Sequence, residues 1–304
     1  MSSKPLAKSS SKSAAKITAT THPSPEKALN VDKFIGQLLE DLKSNQLELP
    51  VLPQVAVKVS KIIDDPGARS KDLAKAIGAD PALSARVIQV ANSPLVRGSN
   101  KIDNLQSALT RMGNTMVRNI VTTFMVRQLF RTENQYLQDR MKLIWNHSAH
   151  VAAISHVLAT HFSILKPDEA MLAGVLHDIG KLPILSKARK IPHIAENGKA
   201  LDMVLARLHP SLGKAILAAW RFDEEFIDAA AEHENIYRDS KVLDFADIVL
   251  VANIHSHMGK PDAKRIEMDK VPALKKLNLD PEASIAVLEE AHNEIVEIQT
   301  LLTN

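Results

Sequence analysis

Cysteine is absent from the 304 residues. That excludes disulfides, thiolate nucleophiles and Cys-type zinc ligation, and it fits a reducing, cytoplasmic setting. No run of about 18 or more uncharged apolar residues occurs, so no membrane span is expected. No apolar stretch follows the N-terminal lysines, so a secretory signal is not expected either. Glycine is scarce, at 10 residues, and none are grouped as a dinucleotide or P-loop fingerprint. No Ser-His-Asp nucleophile elbow is readable. Aromatics make up 4% of the chain, so Leu, Ile, Val and Ala carry the apolar load, which favours helix packing.

What is present is globular: 45% hydrophobic and 24% charged residues, in a length comfortable for two compact units. The net charge of +3 is unevenly placed. Residues 1–30 hold Lys4, Lys8, Lys12, Lys16 and Lys27 against Glu26 alone, so the remainder sums to about −1. A nucleic-acid-binding body would concentrate basic charge on one face, and the sequence of this one does not announce such a face. Residues 1–30 have almost no large apolar side chain and read as a disordered, solubilising tail, or as a weak anchor for an acidic surface.

From Val31 the pattern becomes helical. Val31, Phe34, Ile35, Leu38, Leu39 and Leu42 share one face. Leu49-Pro50-Val51-Leu52-Pro53 is a stiff extended entry to a helix that Asp65-Pro66-Gly67 stops. Ser70 is expected to cap a short helix. Asp80-Pro81 reads as N-cap and first position of the next, which ends near the capping pair Asn92-Ser93. Further helices are expected at 105–112, broken at Gly113, and at 115–129, 136–162, 201–208, 210–220, 223–234, 242–258 and 281–302. No convincing strand appears. The fold class is all-α, with many short helices crossing at steep angles.

The chemistry concentrates at His177-Asp178-Ile179-Gly180-Lys181, directly after the apolar run 171–176. Burying an unpaired polar group costs roughly 2–7 kcal/mol, so the pair requires a metal, a metal-held phosphate or a closed hydrogen-bond network. Several short motifs accompany it in order: Leu49-Pro50-x-Leu-Pro53, Asp65-Pro66, Asp80-Pro81-Ala82-Leu83, Ala91-Asn92-Ser93, Arg111-Met112-Gly113 and Trp145-Asn146-His147-Ser148. Together they resemble an HDOD domain, a bacterial relative of the HD metal-dependent phosphohydrolases, over roughly residues 31–260. The resemblance implies an N-terminal helical half, 31–135, and an HD-like half, 136–260. A C-terminal extension, 261–304, follows, whose helix either packs on the domain or forms a homodimer.

It also implies a divalent metal (Mn, Fe, Mg or Zn), with His147 as first ligand and His177 with Asp178 as the central pair. The last ligand, an Asp in the parent pattern, falls on Asn253, whose neutral amide is a poor partner for a hydroxide-generating ion. Asp247 and Asp244 lie six and nine residues earlier, on other turns. Lys181 either reaches a phosphate or offsets a helix dipole. The related HD-GYP phosphodiesterases hold additional metal with further histidines. Here Glu232 replaces one of those and the Gly-Tyr-Pro signature is missing, which disfavours cyclic-di-GMP hydrolysis. His209, expected to open a helix, and His233, expected to end one, are candidates to complete a mixed site. His150 reads as a surface or supporting residue, and His255 and His257 as not converging. The implied function is a regulatory signalling module, largely non-catalytic, that senses a small molecule or a signalling partner. The alternative is a metal-dependent phosphohydrolase acting on a nucleotide or signalling phosphate.

Overall fold

The computed structural model describes residues 25–304 except 94, 97, 99, 259 and 261–265, with side chains described from residue 31. The Lys-rich part of the tail, residues 1–24, lies outside the described residues. Every regular element among the described residues is helical. In chain order they are α1 (Pro25–Lys43), α2 (Gln54–Asp64), α3 (Ser70–Gly78), α4 (Pro81–Ala91), α5 (Leu105–Leu129), α6 (Gln135–Phe162), α7 (Pro167–Leu176), α8 (Lys181–Ala188), α9 (Pro192–Ala195), α10 (Gly198–Ala219), α11 (Glu224–Glu232) and α12 (Phe245–His257). A 3-10 turn and α13 (Pro272–Lys276), α14 (Pro281–Glu290) and α15 (His292–Thr303) follow.

The boundary chemistry mostly operates as expected. Asp80 accepts from the backbone N–H of Ala82 and Leu83, closing the start of α4. Asn92 ends α4 and clamps the following loop, exchanging two hydrogen bonds with the backbone of Ile102. Gly113 has φ 73° and ψ 168°, a conformation essentially reserved for glycine, and it kinks α5.

Four expectations are corrected. α1 starts at Pro25, so residues 25–30 belong to a helix and not to the tail. Ser70 is inside α3; the cap is Arg69, whose backbone N–H is held by Asp72 at 3.0 Å. His209-Pro210 does not open a helix but sits inside α10. Proline removes one helix hydrogen bond there, and apolar burial of Leu205, Leu208, Leu212 and Ile216 on both sides of it offsets the loss. The segment 281–302 is two helices, divided at Ala291.

The centre of the molecule is built from helices that are predominantly apolar on every side, with Ser155, His156, Asp247 and Asn253 as buried polar exceptions. Residues 151–159 of α6, 170–176 of α7 and 245–254 of α12 are buried without interruption. α6 packs against α7, α12 and α15, while α11 packs on α10 and α12. α5 packs on α2, α3 and α4 and also on α7, linking the N-terminal helices to this core. α15 is docked through Ile295, Ile298, Leu301 and Leu302. Trp145 Nε1 donates to the Leu302 carbonyl at 3.3 Å, and Arg127 and Arg86 reach the carbonyls of Thr303 and Asn304. Cations at a helix C-terminus offset its partial negative charge.

Two glycines set the closest helix approaches. A Cβ at Gly174 would lie 2.6 Å from the Ala152 Cα, so α7 rests directly on α6. A Cβ at Gly180 would lie 1.9 Å from the His209 carbonyl oxygen, so the turn 177–180 rests directly on α10. The first contact sets α7 and the following His177 against the helix that carries His147. The second brings Asp178 to His209.

Candidate metal centre

Three helices and one turn deliver five side chains to a common point. His147 comes from α6, His209 from the middle of α10 and His233 from the end of α11, while His177 and Asp178 occupy the turn between α7 and α8. Asp178 lies between two pairs of imidazoles. Its Oδ2 is 3.4 Å from His177 Nε2 and 3.7 Å from His147 Nε2. Its Oδ1 is 3.4 Å from His209 Nε2 and 3.8 Å from His233 Nε2. Both groups, His147–His177–Asp178 and Asp178–His209–His233, have the spacing to hold a metal ion.

The ring protons can be assigned from the partners. A carbonyl only accepts, so the nitrogen facing it must donate. His177 Nδ1 faces the Gly174 carbonyl at 2.7 Å, His209 Nδ1 that of Leu205 at 2.7 Å, and His233 Nδ1 that of Ala230 at 3.0 Å. The Ser256 hydroxyl donates to the Asn253 carbonyl at 2.7 Å, leaving its lone pair for His147 Nδ1 at 3.4 Å. In the neutral form each ring therefore carries its proton on the outer nitrogen and aims a bare Nε2 at the centre. This is the tautomer that metal-binding histidines adopt, with the far nitrogen tied to a carbonyl or hydroxyl.

In the neutral rings these lone pairs face one another. His209 Nε2 and His233 Nε2 are 3.0 Å apart, and His147 Nε2 and His177 Nε2 are 3.3 Å apart. Asp178 Oδ1, wholly buried, has no hydrogen-bond donor. A set of acceptors without protons between them is unfavourable unless a cation joins it. Burial lowers the pKa of His147 and His233 well below the usual imidazole value and lowers that of His209 too, although the Asp178 charge opposes this. Burial would raise the Asp178 carboxyl, but positive charge beside it, at His177 when that ring is protonated and at the Lys181 ammonium, outweighs this and holds the group well below the usual carboxylate range.

The two halves of the cluster differ. Lys181 Nζ donates to Asp178 Oδ2 at 2.5 Å, so the outer oxygen already has a cationic partner. The inner oxygen has none. Lys181 thus neither caps a C-terminus nor stands free: it is the first residue of α8, where only its pairing with Asp178 compensates for the positive end of the helix.

Other expected residues fall elsewhere. Asn253 is buried on α12, with a side-chain oxygen that has no hydrogen-bond partner; it approaches the cluster through its backbone carbonyl and Ser256. Asp244 caps α12 and Asp247 closes that capping box. Asp247 is also bound by Arg238 at 2.9 Å and Lys276 at 2.8 Å, so both acids serve a separate ionic knot. His150 binds Gln299 of α15 at 3.1 Å. His255 does not converge, but His257 does: its ring packs on His147 with centroids 4.9 Å apart. Glu234 Oε1 lies 4.0 Å from His209 Nε2, beside the inner group. The spacing of residues 253, 256 and 257 on one helical face was the signal available for Ser256 and His257.

Known proteins share this helical fold. A crystal structure from Shewanella amazonensis SB2B, whose name assigns it provisionally to the metal-dependent phosphohydrolases, is 28% identical; it aligns over 90% of this chain and 98% of its own, with a TM-score of 0.79. A structure from Marinobacter aquaeolei VT8, named provisionally as a signal transduction protein, shares the fold at 18% identity, with a TM-score of 0.58 over 90% of this chain and 67% of that one. An uncharacterized protein of Treponema pallidum (strain Nichols) is 22% identical over 206 residues, 62% of this chain; the match spans only 38% of that relative's length. The family model for the HDOD domain matches residues 49–236, a stretch that contains His147, His177, Asp178, His209 and His233. That match covers more than half of the chain, which therefore belongs to the HDOD domain family.

Proposed function

We infer that this chain is a regulatory HDOD module whose helices are tied together by a buried divalent ion at Asp178. The observation that carries this reading is the meeting of four imidazole Nε2 atoms with a buried carboxylate oxygen that has no donor. Asp178 Oδ1, His209 and His233 are the preferred ligands, because Lys181 already occupies Oδ2. His147 and His177 would extend the site or hold a second ion, and Asn253 is not needed. A donor set of imidazoles and one carboxylate suits Zn, Mn or Fe, and is a poor match for Mg, which favours oxygen ligands and retained water.

The burial of the inner ligands favours regulation over turnover. His209, His233 and Asp178 are each about 1% exposed. Closed sites of this kind are structural, whereas catalytic ions keep an open position for water or substrate. When bound, the ion supplies electrostatic cross-linking of α10, α11 and the α7–α8 turn. The state of that cross-link would be passed on to a signalling partner or a small-molecule ligand through helix packing. The name of the Marinobacter neighbour supports a signalling role.

The name of the Shewanella neighbour favours the second reading, a phosphohydrolase, in which the outer group near Lys181 and His257 faces substrate. Elemental analysis of purified protein separates the readings. Bound Zn, Mn or Fe should be lost in Asp178→Ala and His233→Ala and largely kept in His147→Ala. With bis(p-nitrophenyl) phosphate as probe, hydrolysis should stay at background. Metal-free wild type would remove the proposal, and rapid metal-dependent cleavage would replace it with the enzyme.

A further inference from the structure

Away from the cluster, a cleft of about 300 Å³ opens between the loop before α2, the α5–α6 connection and α8. Its inner wall is apolar and consists of the buried side chains of Leu137, Met141, Leu182 and Leu185. Leu182, Leu185, Ser186 and Arg189 recur at helical spacing, so one face of α8 forms a complete side of the cleft. Three contacts brace the walls. Trp220 Nε1 donates to the Pro50 carbonyl at 2.9 Å, Lys187 of α8 pairs with Asp41 of α1, and Lys190 pairs with Glu48 at 3.4 Å. The volume is at the lower end of small-molecule sites, which run from roughly 300 to 1,000 Å³.

Charge at the mouth has one sign left over. Glu48 is engaged by Lys190. Arg131 and Arg189 line the opening, both are exposed, and neither has an ion-pair partner among the described residues. Two unpaired guanidinium forks above an apolar floor match a ligand with an anionic head and an apolar body, since such forks bind carboxylate and phosphate through paired N–H groups.

We propose that this cleft binds an amphipathic organic anion, with its acidic group between Arg131 and Arg189 and its apolar part against Leu137, Met141, Leu182 and Leu185. The site shares no residue with the metal centre and does not depend on it.

The test titrates the full chain with 1-anilinonaphthalene-8-sulfonate, and in parallel with N-phenyl-1-naphthylamine, which has the same rings without the sulfonate. The folded wild type should show one saturable sulfonate site. Exchanging both arginines (R131Q with R189Q) should weaken the sulfonate about tenfold or more and leave the neutral probe nearly unchanged. Ser186→Trp, which fills the cleft from α8, should abolish binding of both. The arginine variant changes only exposed side chains, so it reads independently of how well Ser186→Trp folds. Absence of saturable binding in the wild type, or sulfonate affinity unaffected by loss of both arginines, overturns the proposal.

Discussion

Gly180→Ala is the most direct probe of how the metal centre is assembled. The backbone at Gly180, φ −64° and ψ −12°, is ordinary for alanine, so no conformational strain enters. The whole effect is contact. The added methyl would lie 1.9 Å from the His209 carbonyl oxygen, 2.5 Å from the Gly213 nitrogen and 2.9 Å from the His209 carbonyl carbon. All three are backbone atoms of α10, so no side chain can rotate away. The turn 177–180 must retreat from α10 by about 1 Å or more to restore van der Waals separation.

Overpacking of this kind costs typically about 1–3 kcal/mol. Backbone-only contact puts Gly180→Ala near the top of that range, less the roughly 0.4–1 kcal/mol that alanine gains by restricting the unfolded chain. A net loss of about 2 kcal/mol should lower the melting midpoint by roughly 4–8 °C. Gly36→Ala is the matched control. Gly36 lies in α1 with nothing within 4 Å of its Cβ position, so that change should stabilise by about 0.5–1 kcal/mol. Thermal unfolding followed by circular dichroism, with metal content measured on the same samples, reads both. A Gly180→Ala midpoint at or above wild type would refute the close seating of Asp178 against His209.

Three further outcomes are expected. The pKa of His255 is lowered to about 4 by burial, and burial lowers those of His147, His209 and His233 as well. The unfolded chain takes up these protons near pH 6.5 and the folded chain resists them, so metal-free protein should be fully stable above that value and lose stability as pH falls through it. For His255 alone the loss between pH 6.5 and about 4 is roughly 3 kcal/mol; urea midpoints that stay flat from pH 7.5 to 5 would contradict the buried neutral rings. Asp247→Ala leaves Arg238 and Lys276 without their shared buried partner and should destabilise by about 3–5 kcal/mol, seen as a lower denaturant midpoint, with metal content unaffected in the fraction that remains folded. Gly113→Ala forces a methyl-bearing residue to φ 73° and should cost about 1–3 kcal/mol by the same measurement, although nothing lies within 4 Å of the added carbon.

Helix identity was largely written into local sequence. The apolar spacing from Val31 to Leu42, the Asp80-Pro81 start and the Gly113 break each act within a few residues and need no tertiary partner. The His177-Asp178 pair, behind an uninterrupted apolar run, marked the centre for the same reason: burying such groups is unfavourable in any fold that provides no compensation. His209 was misread because proline rules describe an isolated helix, and the packing of α10 on both sides of Pro210 outweighs one lost hydrogen bond.

Tertiary structure alone decided which oxygen of Asp178 is free. Lys181 lies three residues along the chain, and its reach to Oδ2 depends on how α8 leaves the turn. The bare Nε2 atoms face one another only because Gly174 and Gly180 admit backbone within van der Waals distance of α6 and α10. Side-chain chemistry is a property of single residues and can be read from their order. The convergence of five groups from helices up to 86 positions apart is set by helix–helix contact distances, and those exist only once the chain has packed.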